Sequence, residues 1–340
     1  WQSEPSGALD GRSARMFKFV VEKKYKEWAG EWLKQKEPFV KPSSFAKYKF
    51  DVESRLVPKF GEFRLSAITE KAVQEWLSEL AQERRPNGKR YTLTTLKGWV
   101  LTLIVSLNDA AAQKLCPAPS FKLKYPKTAG RVKIEFFSKE EQKAIVEAFW
   151  QDEALWRAHK LSSPSFRPTV GVLLSLYTGM RIGEVCGTKW QDVNLEELNI
   201  NVSRTVYRIY KSDCLGGVNV GAPKSTTSAR VIPISKPLLN ILNLAQDRTP
   251  EHYLLTDKIK PMEPRTLRLH YKKFLERHNI TPRKFHALRH TFATRCIEAG
   301  IDPKTVSTVL GHASPMITLS IYCHPAENLR RKCVEVFADF

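Results

Sequence analysis

Phe285-His286-Ala287-Leu288-Arg289-His290-Thr291, followed by Leu310-Gly311-His312 and then by Tyr322, is the stretch on which the reading of this chain turns. His286 and Arg289 stand three residues apart and therefore share one face of a helix. Gly311 ends an apolar run and occupies the place of a helix-terminating glycine in left-handed backbone, so His312 begins a new segment. Two imidazoles, a guanidinium and a phenol are thereby gathered within forty residues of chain. Such groups can hold a phosphodiester and attack it with a phenolic oxygen.

Upstream lies Thr178-Gly179-Met180-Arg181-Ile182-Gly183-Glu184, in which Arg181 follows a Thr-Gly turn and starts a helix carrying Glu184 one turn on. Further along, Ala222-Pro223-Lys224-Ser225-Thr226-Thr227-Ser228-Ala229-Arg230-Val231 has the pattern of a hairpin with Lys224 near its turn. Moving a phosphoryl group between oxygens needs an in-line nucleophile, cationic donors for the equatorial oxygens and an acid for the departing alkoxide. Arginine is the strongest metal-free donor, because its planar fork makes paired contacts to phosphate oxygens. Most of the 55 Lys and Arg residues must be ordinary surface charges. Arg181 and Arg289 stand out because each sits one turn from an acid or an imidazole, and because the two motifs occur together and in order.

Other chemistries fit less well. His286 and His290 have the i, i+4 spacing of a zinc pair, but Ala287 stands where a metalloprotease would carry glutamate and no third ligand follows. No metal and no cofactor are expected, and His290 reads as a helix-packing or supporting residue rather than a ligand. Cys323, next to Tyr322, lacks the histidine–carboxylate arrangement of a thiol nucleophile. Tyr322 itself is a poor nucleophile at its ordinary pKa near 10 unless cations and a base assist it.

The 340 residues are too many for one ordinary core, so two domains are expected. A hydrophobic content of 42% argues for folded domains throughout most of the chain. The formal net charge of +20 and the pI of about 9.7 call for a polyanionic partner, first of all nucleic acid. A membrane surface would want a basic amphipathic helix or a lipid anchor, and neither pattern is found; no apolar run has the length of a membrane span. The six cysteines are scattered without CxxC spacing, as in a reduced, intracellular protein.

The organisation follows from periodicity. Residues 1–15 are polar and aperiodic and read as a tail; residues 16–116 read as a helical bundle. In that bundle Phe45, Tyr48, Val52 and Leu56 recur at helical spacing. Thr69 caps a helix with Val73, Trp76, Leu77 and Leu80 on one face, and a third helix runs from about Leu93 through Leu107. Arg84, Arg85, Lys89 and Arg90 form a basic turn suited to phosphate contacts. Residues 117–131, with Lys122, Lys124 and Lys127, read as an extended basic linker. Ser138-Lys139-Glu140-Glu141 is a capping box that opens a second domain over residues 132–340. There a helix from about Pro168 to Thr178, strand patterns at 198–202 and 230–234, and a return to helices predict a mainly α fold with a small antiparallel sheet (α+β).

This set of motifs, in this order and over most of the chain, resembles the tyrosine recombinase (phage integrase) family, most closely the integrases of phages and conjugative transposons. The resemblance implies a helical core-binding domain and a catalytic domain that together clamp duplex DNA. It also implies site-specific cleavage and rejoining through a 3′-phosphotyrosyl intermediate, to integrate or excise a mobile element. Tyr322 would attack, Arg181, Arg289 and His312 would stabilise the transition state, His286 would assist proton transfer, and Lys224 would protonate the 5′ oxygen, with Lys211 its rival. Glu184 would orient Arg181 or Lys224. The family works without ATP or metal, as a homo-tetramer on two duplexes that exchanges C-terminal tails and can need an accessory DNA-bending or excision factor. A cytoplasmic, nucleoid-associated place would follow. Many such integrases carry a further N-terminal arm-binding domain, for which the first residues are too few, as in a truncated chain or a simpler subgroup. A type IB topoisomerase, or a non-catalytic DNA-binding relative, would be the alternatives.

Overall fold

Periodic apolar residues build most of the elements of this computed structural model. It describes residues 23–86, 88–126, 134–159, 163–209, 217–222, 228–245 and 248–322, with backbone alone at 163–166, 317 and 320–322. Lys127, Lys211, Lys224, Cys214, the expected tail at 1–15 and everything after Tyr322 lie outside the described residues. The described chain divides near residue 130 into two units.

The first unit is helical, with α1 (Tyr25–Lys36), α2 (Pro42–Asp51), α3 (Val57–Phe60), α4 (Glu70–Gln82) and α5 (Leu93–Ala112). Tyr25, Trp28, Trp32, Leu56, Phe60, Val73, Leu77 and Leu103 form its core. The buried indoles also satisfy their polar edges: Trp28 Nε1 donates to the Ser106 carbonyl at 3.0 Å and Trp32 Nε1 to Asp109 at 2.6 Å. The helix expected through Phe45 and Leu56 is interrupted by a π turn over Val52–Leu56 before α3. Pro58 accounts for this, since it lacks an N–H and its ring cannot sit against the carbonyl one turn earlier. Thr69 caps α4 by accepting from the Ala72 N–H, as its sequence position predicts.

Two basic segments are tied to this unit. Arg84 and Arg90 pair across the expected turn. Behind them the Tyr91 ring carries the guanidiniums of Arg55 and Arg85, 5.0 and 5.1 Å from its centroid. The described part of the expected linker, residues 117–126, has no helix or strand, yet it is held in place. Glu70 accepts from the Lys122 N–H, and Gln74 both accepts from the Lys124 N–H and donates to the Lys124 carbonyl. Phe121, Leu123 and Tyr125 pack on the core, while Lys122 and Lys124 between them are exposed. This is a strand-like alternation pinned to the bundle, where the sequence predicts an extended basic linker.

The second unit opens at Ser138, whose side chain accepts from the Glu141 N–H while Glu141 accepts from the Ser138 N–H, the expected capping box. Its helices are α6 (Lys139–Arg157), α7 (Ser163–Thr178), α8 (Ile182–Gly187), α9 (Lys236–Leu242), α10 (Pro264–Arg277), α11 (His286–Glu298), α12 (Pro303–Leu310) and α13 (Pro315–Tyr322). Helix α7 begins five residues before the expected Pro168, which it carries inside. The strands are β1 (Val193–Asn194), β2 (Asn199–Val202), β3 (Thr205–Arg208), β4 (Val218–Gly221) and β5 (Arg230–Pro233). They form an antiparallel sheet ordered β1-β2-β5, with Ile200 opposite Ile232, and a separate β3–β4 hairpin. The expected strand pair is therefore β2 and β5, while the β3–β4 hairpin carries no strong sequence pattern. Lys211 falls between β3 and β4, and Lys224 between β4 and β5. The mainly α fold with a small antiparallel sheet is the one the sequence predicts.

Helix α7 lies against α11 at the centre of this unit, and buried ion pairs brace its periphery. Asp152, fully buried, is held by Arg277 and by His278 Nε2 at 2.9 Å, and Asp192 is held by both terminal nitrogens of Arg204. At the end of α7, Gly179 turns the chain with φ +67°, and a Cβ there would stand 2.5 Å from Leu310 Cδ2 and 2.8 Å from Phe292 Cδ1. The turn thus demands glycine twice, through its dihedral and through its contacts with α11 and α12. Gly179→Ala is expected to destabilise the protein by about 2–4 kcal/mol, combining left-handed strain with overpacking, as measured by denaturant unfolding.

Candidate active site

Arg181 caps α8 at its N-terminus, where the backbone leaves the Gly179 turn. Its own N–H donates to Glu184 Oε2 at 2.9 Å and its Nη1 to Glu184 Oε1 at 2.8 Å, so one carboxylate fixes both backbone and side chain. Its Nη2 donates to the Gly311 carbonyl at 3.0 Å. The side chain remains 37% exposed, while the Glu184 side chain is 3% exposed. Glu184 is therefore a buried orienting carboxylate rather than a surface ion-pair partner. Burial alone would raise its carboxyl, but the hydrogen bond and charge of Arg230, with those of Arg181, outweigh it and hold the group below the usual carboxylate range.

Arg289 lies on α11 one turn after His286 and is 1% exposed. Its Nη1 donates to the carbonyls of Gly179 at 2.8 Å and Leu310 at 2.9 Å. The His286 and His290 rings meet edge to face, with centroids 4.6 Å apart, so His290 packs against its neighbour. Among the described residues no group of His, Cys, Asp or Glu is arranged to hold a metal ion.

Helix α12 ends at Gly311, in left-handed backbone with φ 66° as expected. The Gly311 N–H reaches the Thr308 carbonyl and the His312 N–H the Ser307 carbonyl, which closes the helix and turns His312 toward α11. His312 Nδ1 pairs with Thr318 Oγ1 at 2.8 Å, and Thr318 is itself fully buried on α13. Thr318 thus sets which imidazole edge remains available.

Both imidazoles are held neutral. Partial burial pushes His312 down to about 4, helped by the charges of Arg289, Arg181, His286 and Arg230. His286 is also pushed down to about 4, by loss of hydration and then by His290, Arg289 and Arg181, against a smaller opposing effect of Glu184. Its place at the first position of α11, the positive end of the helix, acts in the same direction. His290 is lowered by burial and by Arg289.

Arg181, Glu184, His286, Arg289, His290 and His312 are therefore brought together. The Tyr322 backbone ends α13, just under one turn beyond the Leu319 position, and Lys224 and Lys211 lie outside the described residues. Arg84, Arg85, Lys89, Arg90, Lys122 and Lys124 belong to the first unit. Arg84, Lys89, Arg90, Lys122 and Lys124 are exposed, whereas Arg85 is partly covered by its stacking on Tyr91. Sequence reasoning missed Arg230. It lies on β5 with its side chain 5% exposed, donating from Nη2 to Glu184 Oε2 at 3.0 Å, from Nε to the Val309 carbonyl at 2.5 Å and from Nη1 to the Ser228 carbonyl at 2.9 Å. Its signal was strand parity: Arg230 shares a face with the buried Ile232 and Ile234, opposite the exposed Val231.

Comparison with known proteins identifies the family. Residues 136–328 match the phage integrase family, and residues 24–81 match the N-terminal SAM-like domain of phage integrases. A XerC-like tyrosine recombinase of Caldanaerobacter subterraneus subsp. tengcongensis is 28% identical over 323 residues, covering 88% of this chain and 78% of the relative. The transposase of transposon Tn916 from Enterococcus faecalis is 24% identical over 301 residues, covering 82% of this chain and 68% of its own. Among solved structures, the Tn1549 transposon integrase in complex with transposon right-end DNA superposes with a TM-score of 0.74 at 18% identity, over 93% of this chain and all of that one (100%). The match over residues 136–328 spans more than half of the sequence, and it places the chain in the phage integrase family.

Proposed function

We propose that this protein is a site-specific DNA recombinase that cleaves and rejoins duplex DNA to integrate or excise a mobile element. The observation that carries the reading is the convergence of Arg181, Arg289, His286 and His312 on the end of α12, one short helix before Tyr322. The relatives named as tyrosine recombinase and transposon transposase support it. In the proposed reaction the Tyr322 oxygen attacks the scissile phosphorus, the bond to the 5′ oxygen breaks, and a 3′-phosphotyrosyl ester forms. Arg181, Arg289 and His312 neutralise the charge that gathers on the non-bridging oxygens. His286, neutral near pH 7, accepts the tyrosine proton, and Lys224 delivers one to the departing 5′ oxygen. The ester conserves the bond energy, so attack by a 5′-hydroxyl of a partner strand reverses the step.

The first unit would serve as the core-binding domain, with Arg84, Lys89, Arg90, Lys122 and Lys124 on phosphates. Arg85 would serve chiefly to stiffen the turn through Tyr91. A homo-tetramer on two duplexes would carry out exchange, with the segment after Tyr322 passed between protomers.

Incubation with a nicked suicide duplex should give an SDS-resistant, protease-sensitive adduct. Tyr322→Phe should abolish it at nearly unchanged DNA affinity, and an adduct mapping to another residue would overturn the assignment. On a duplex whose bridging 5′ oxygen is sulfur, a leaving group that needs no proton, Lys224→Ala should recover its rate while Arg181→Ala should not. Failure of Lys224→Ala to recover would point to Lys211.

The depressed imidazoles predict a pH effect on stability. His286 and His312 bind protons more weakly in the folded chain, at about 4, than unfolded, near 6.5. The unfolded state therefore takes up more protons between those values, and stability falls as pH drops through that window. Melting temperatures across pH 4 to 7 should decline less steeply for a His286→Asn, His312→Asn double variant than for wild type. Equal slopes would show that neither imidazole is held neutral.

Deleting residues 327–340 should leave binding to a single site largely intact and abolish the higher-order complex and strand exchange. Normal assembly of the truncated protein in gel-shift and light-scattering measurements would refute tail exchange.

A further inference from the structure

We propose that Arg230 is a positioning residue of the cleavage site: from β5 it fixes the Glu184 carboxylate against the end of α12, which keeps Arg181 spread toward substrate rather than closed onto Glu184. The inference rests on the cleavage reading above.

The hydrogen-bond pattern is the basis. Glu184 Oε2 accepts from two groups, the Arg181 N–H at 2.9 Å and Arg230 Nη2 at 3.0 Å, while Oε1 accepts Arg181 Nη1 at 2.8 Å. With Arg230 in place, Arg181 gives Glu184 only one side-chain nitrogen and sends the other, Nη2, to Gly311 at 3.0 Å. Without Arg230, Oε2 would have a vacant lone pair beside an arginine fork. The preferred geometry of a guanidinium and a carboxylate is two parallel N–H···O bonds. Arg181 would then swing into that paired geometry, leave the Gly311 carbonyl, and lose the half-exposed position from which it can meet a phosphate.

The second partner of Arg230 acts on the other side of the site. Its Nε holds the Val309 carbonyl, two residues before the glycine that turns the chain into His312. One side chain therefore spans two pieces of the site, the acid that orients Arg181 and the helix end that presents His312, while its Nη1 donates to the Ser228 carbonyl of its own strand entry. A lysine could supply the charge, but its three N–H groups radiate from one nitrogen and cannot reproduce contacts made from the three separate nitrogens of a planar fork. Its side chain is 5% exposed, so Arg230 is placed to act through these partners rather than on substrate.

The test uses the full-length protein and the suicide duplex, with Arg230→Met, Arg230→Lys, and Arg230→Met combined with Glu184→Gln. Arg230→Met should bind DNA within a few-fold of wild type and form the covalent adduct roughly 10–100 times more slowly, the loss typical when an outer partner that orients a reacting group is removed. Among the described residues, the charged and titratable groups facing Glu184 are Arg181, Arg230 and His286. Removing Arg230 lets the carboxyl take up a proton at higher pH, so the acid fall-off of the adduct rate should move to higher pH in Arg230→Met. Adding Glu184→Gln should abolish that movement.

A purely structural Arg230 would lower the melting temperature and leave the rate per folded molecule and its pH profile unchanged, which overturns the inference. If Arg230→Met does not fold, Arg230→Lys decides. A wild-type adduct rate refutes positioning, and a several-fold slower rate at retained DNA affinity supports it. A wild-type protein that forms no adduct would sink the cleavage reading instead, so the two failures are distinguishable.

Discussion

The constraint on which the site depends is the fate of five consecutive carbonyls at the end of α12. Ser307 and Thr308 are satisfied by the N–H groups of His312 and Gly311, the ordinary closure of a helix by left-handed glycine. Among the described residues Val309, Leu310 and Gly311 have no backbone donor of that kind, and each takes a guanidinium from a different element: Arg230 of β5, Arg289 of α11 and Arg181 at the start of α8. A hydrogen bond to a charged group contributes roughly 1.5–3 kcal/mol net, and the negative end of the helix adds to it. Three such bonds at one helix end are comparable to a sizeable part of a domain's whole stability. The helix end is therefore a junction that fixes three arginines in space before any substrate arrives.

That junction explains the protonation state of the imidazoles. Two guanidiniums, Arg181 and Arg230, share the Glu184 carboxylate and a third, Arg289, binds only carbonyls, so the local field is positive and His286 and His312 are most stable uncharged. An anionic phosphate entering this field would relieve the repulsion instead of meeting it. Preorganised positive charge in a partly water-excluded place is what a dianion-like transition state requires, because no reorganisation is then needed as charge develops. Holding His286 neutral at the same time leaves it able to accept a proton, a role that a protonated imidazole could not perform.

Much of this was legible in the sequence because local spacing and site geometry coincide. His286 and Arg289 are one helical turn apart, Arg181 and Glu184 likewise, and Gly311 announces its own backbone geometry; each can be read from a handful of neighbouring letters. Arg230 was harder, because its partners lie at Glu184 and Val309, far away in sequence, and only the alternation Arg230–Val231–Ile232 betrayed a buried cation. The pinned segment at 121–125 was hidden for a related reason. Lysines between Phe121, Leu123 and Tyr125 look like linker composition until the period of two is noticed and Glu70 and Gln74 are found to bind its backbone. The π turn at Val52–Leu56 had a visible cause in Pro58, but an apolar period at Phe45, Tyr48, Val52 and Leu56 runs smoothly across it.

The same residue types do opposite physical work in the two units. Lys122, Lys124 and Arg84 are exposed, so any attraction they exert is carried through solvent and falls with ionic strength. Arg289 is 1% exposed and Arg230 has a side chain 5% exposed, and their fields act inside protein, where added salt screens little. Exposed cations can therefore tune how tightly a polyanion is held without altering the chemistry, and the buried ones can set the chemistry without adding much to encounter. A chain with a formal charge of +20 thus includes two kinds of cation: exposed ones such as Lys122 and Arg84, and a small buried set, Arg230 and Arg289, committed to backbone carbonyls and one carboxylate. The buried set is where a substitution of arginine by lysine, neutral in charge count, changes the structure.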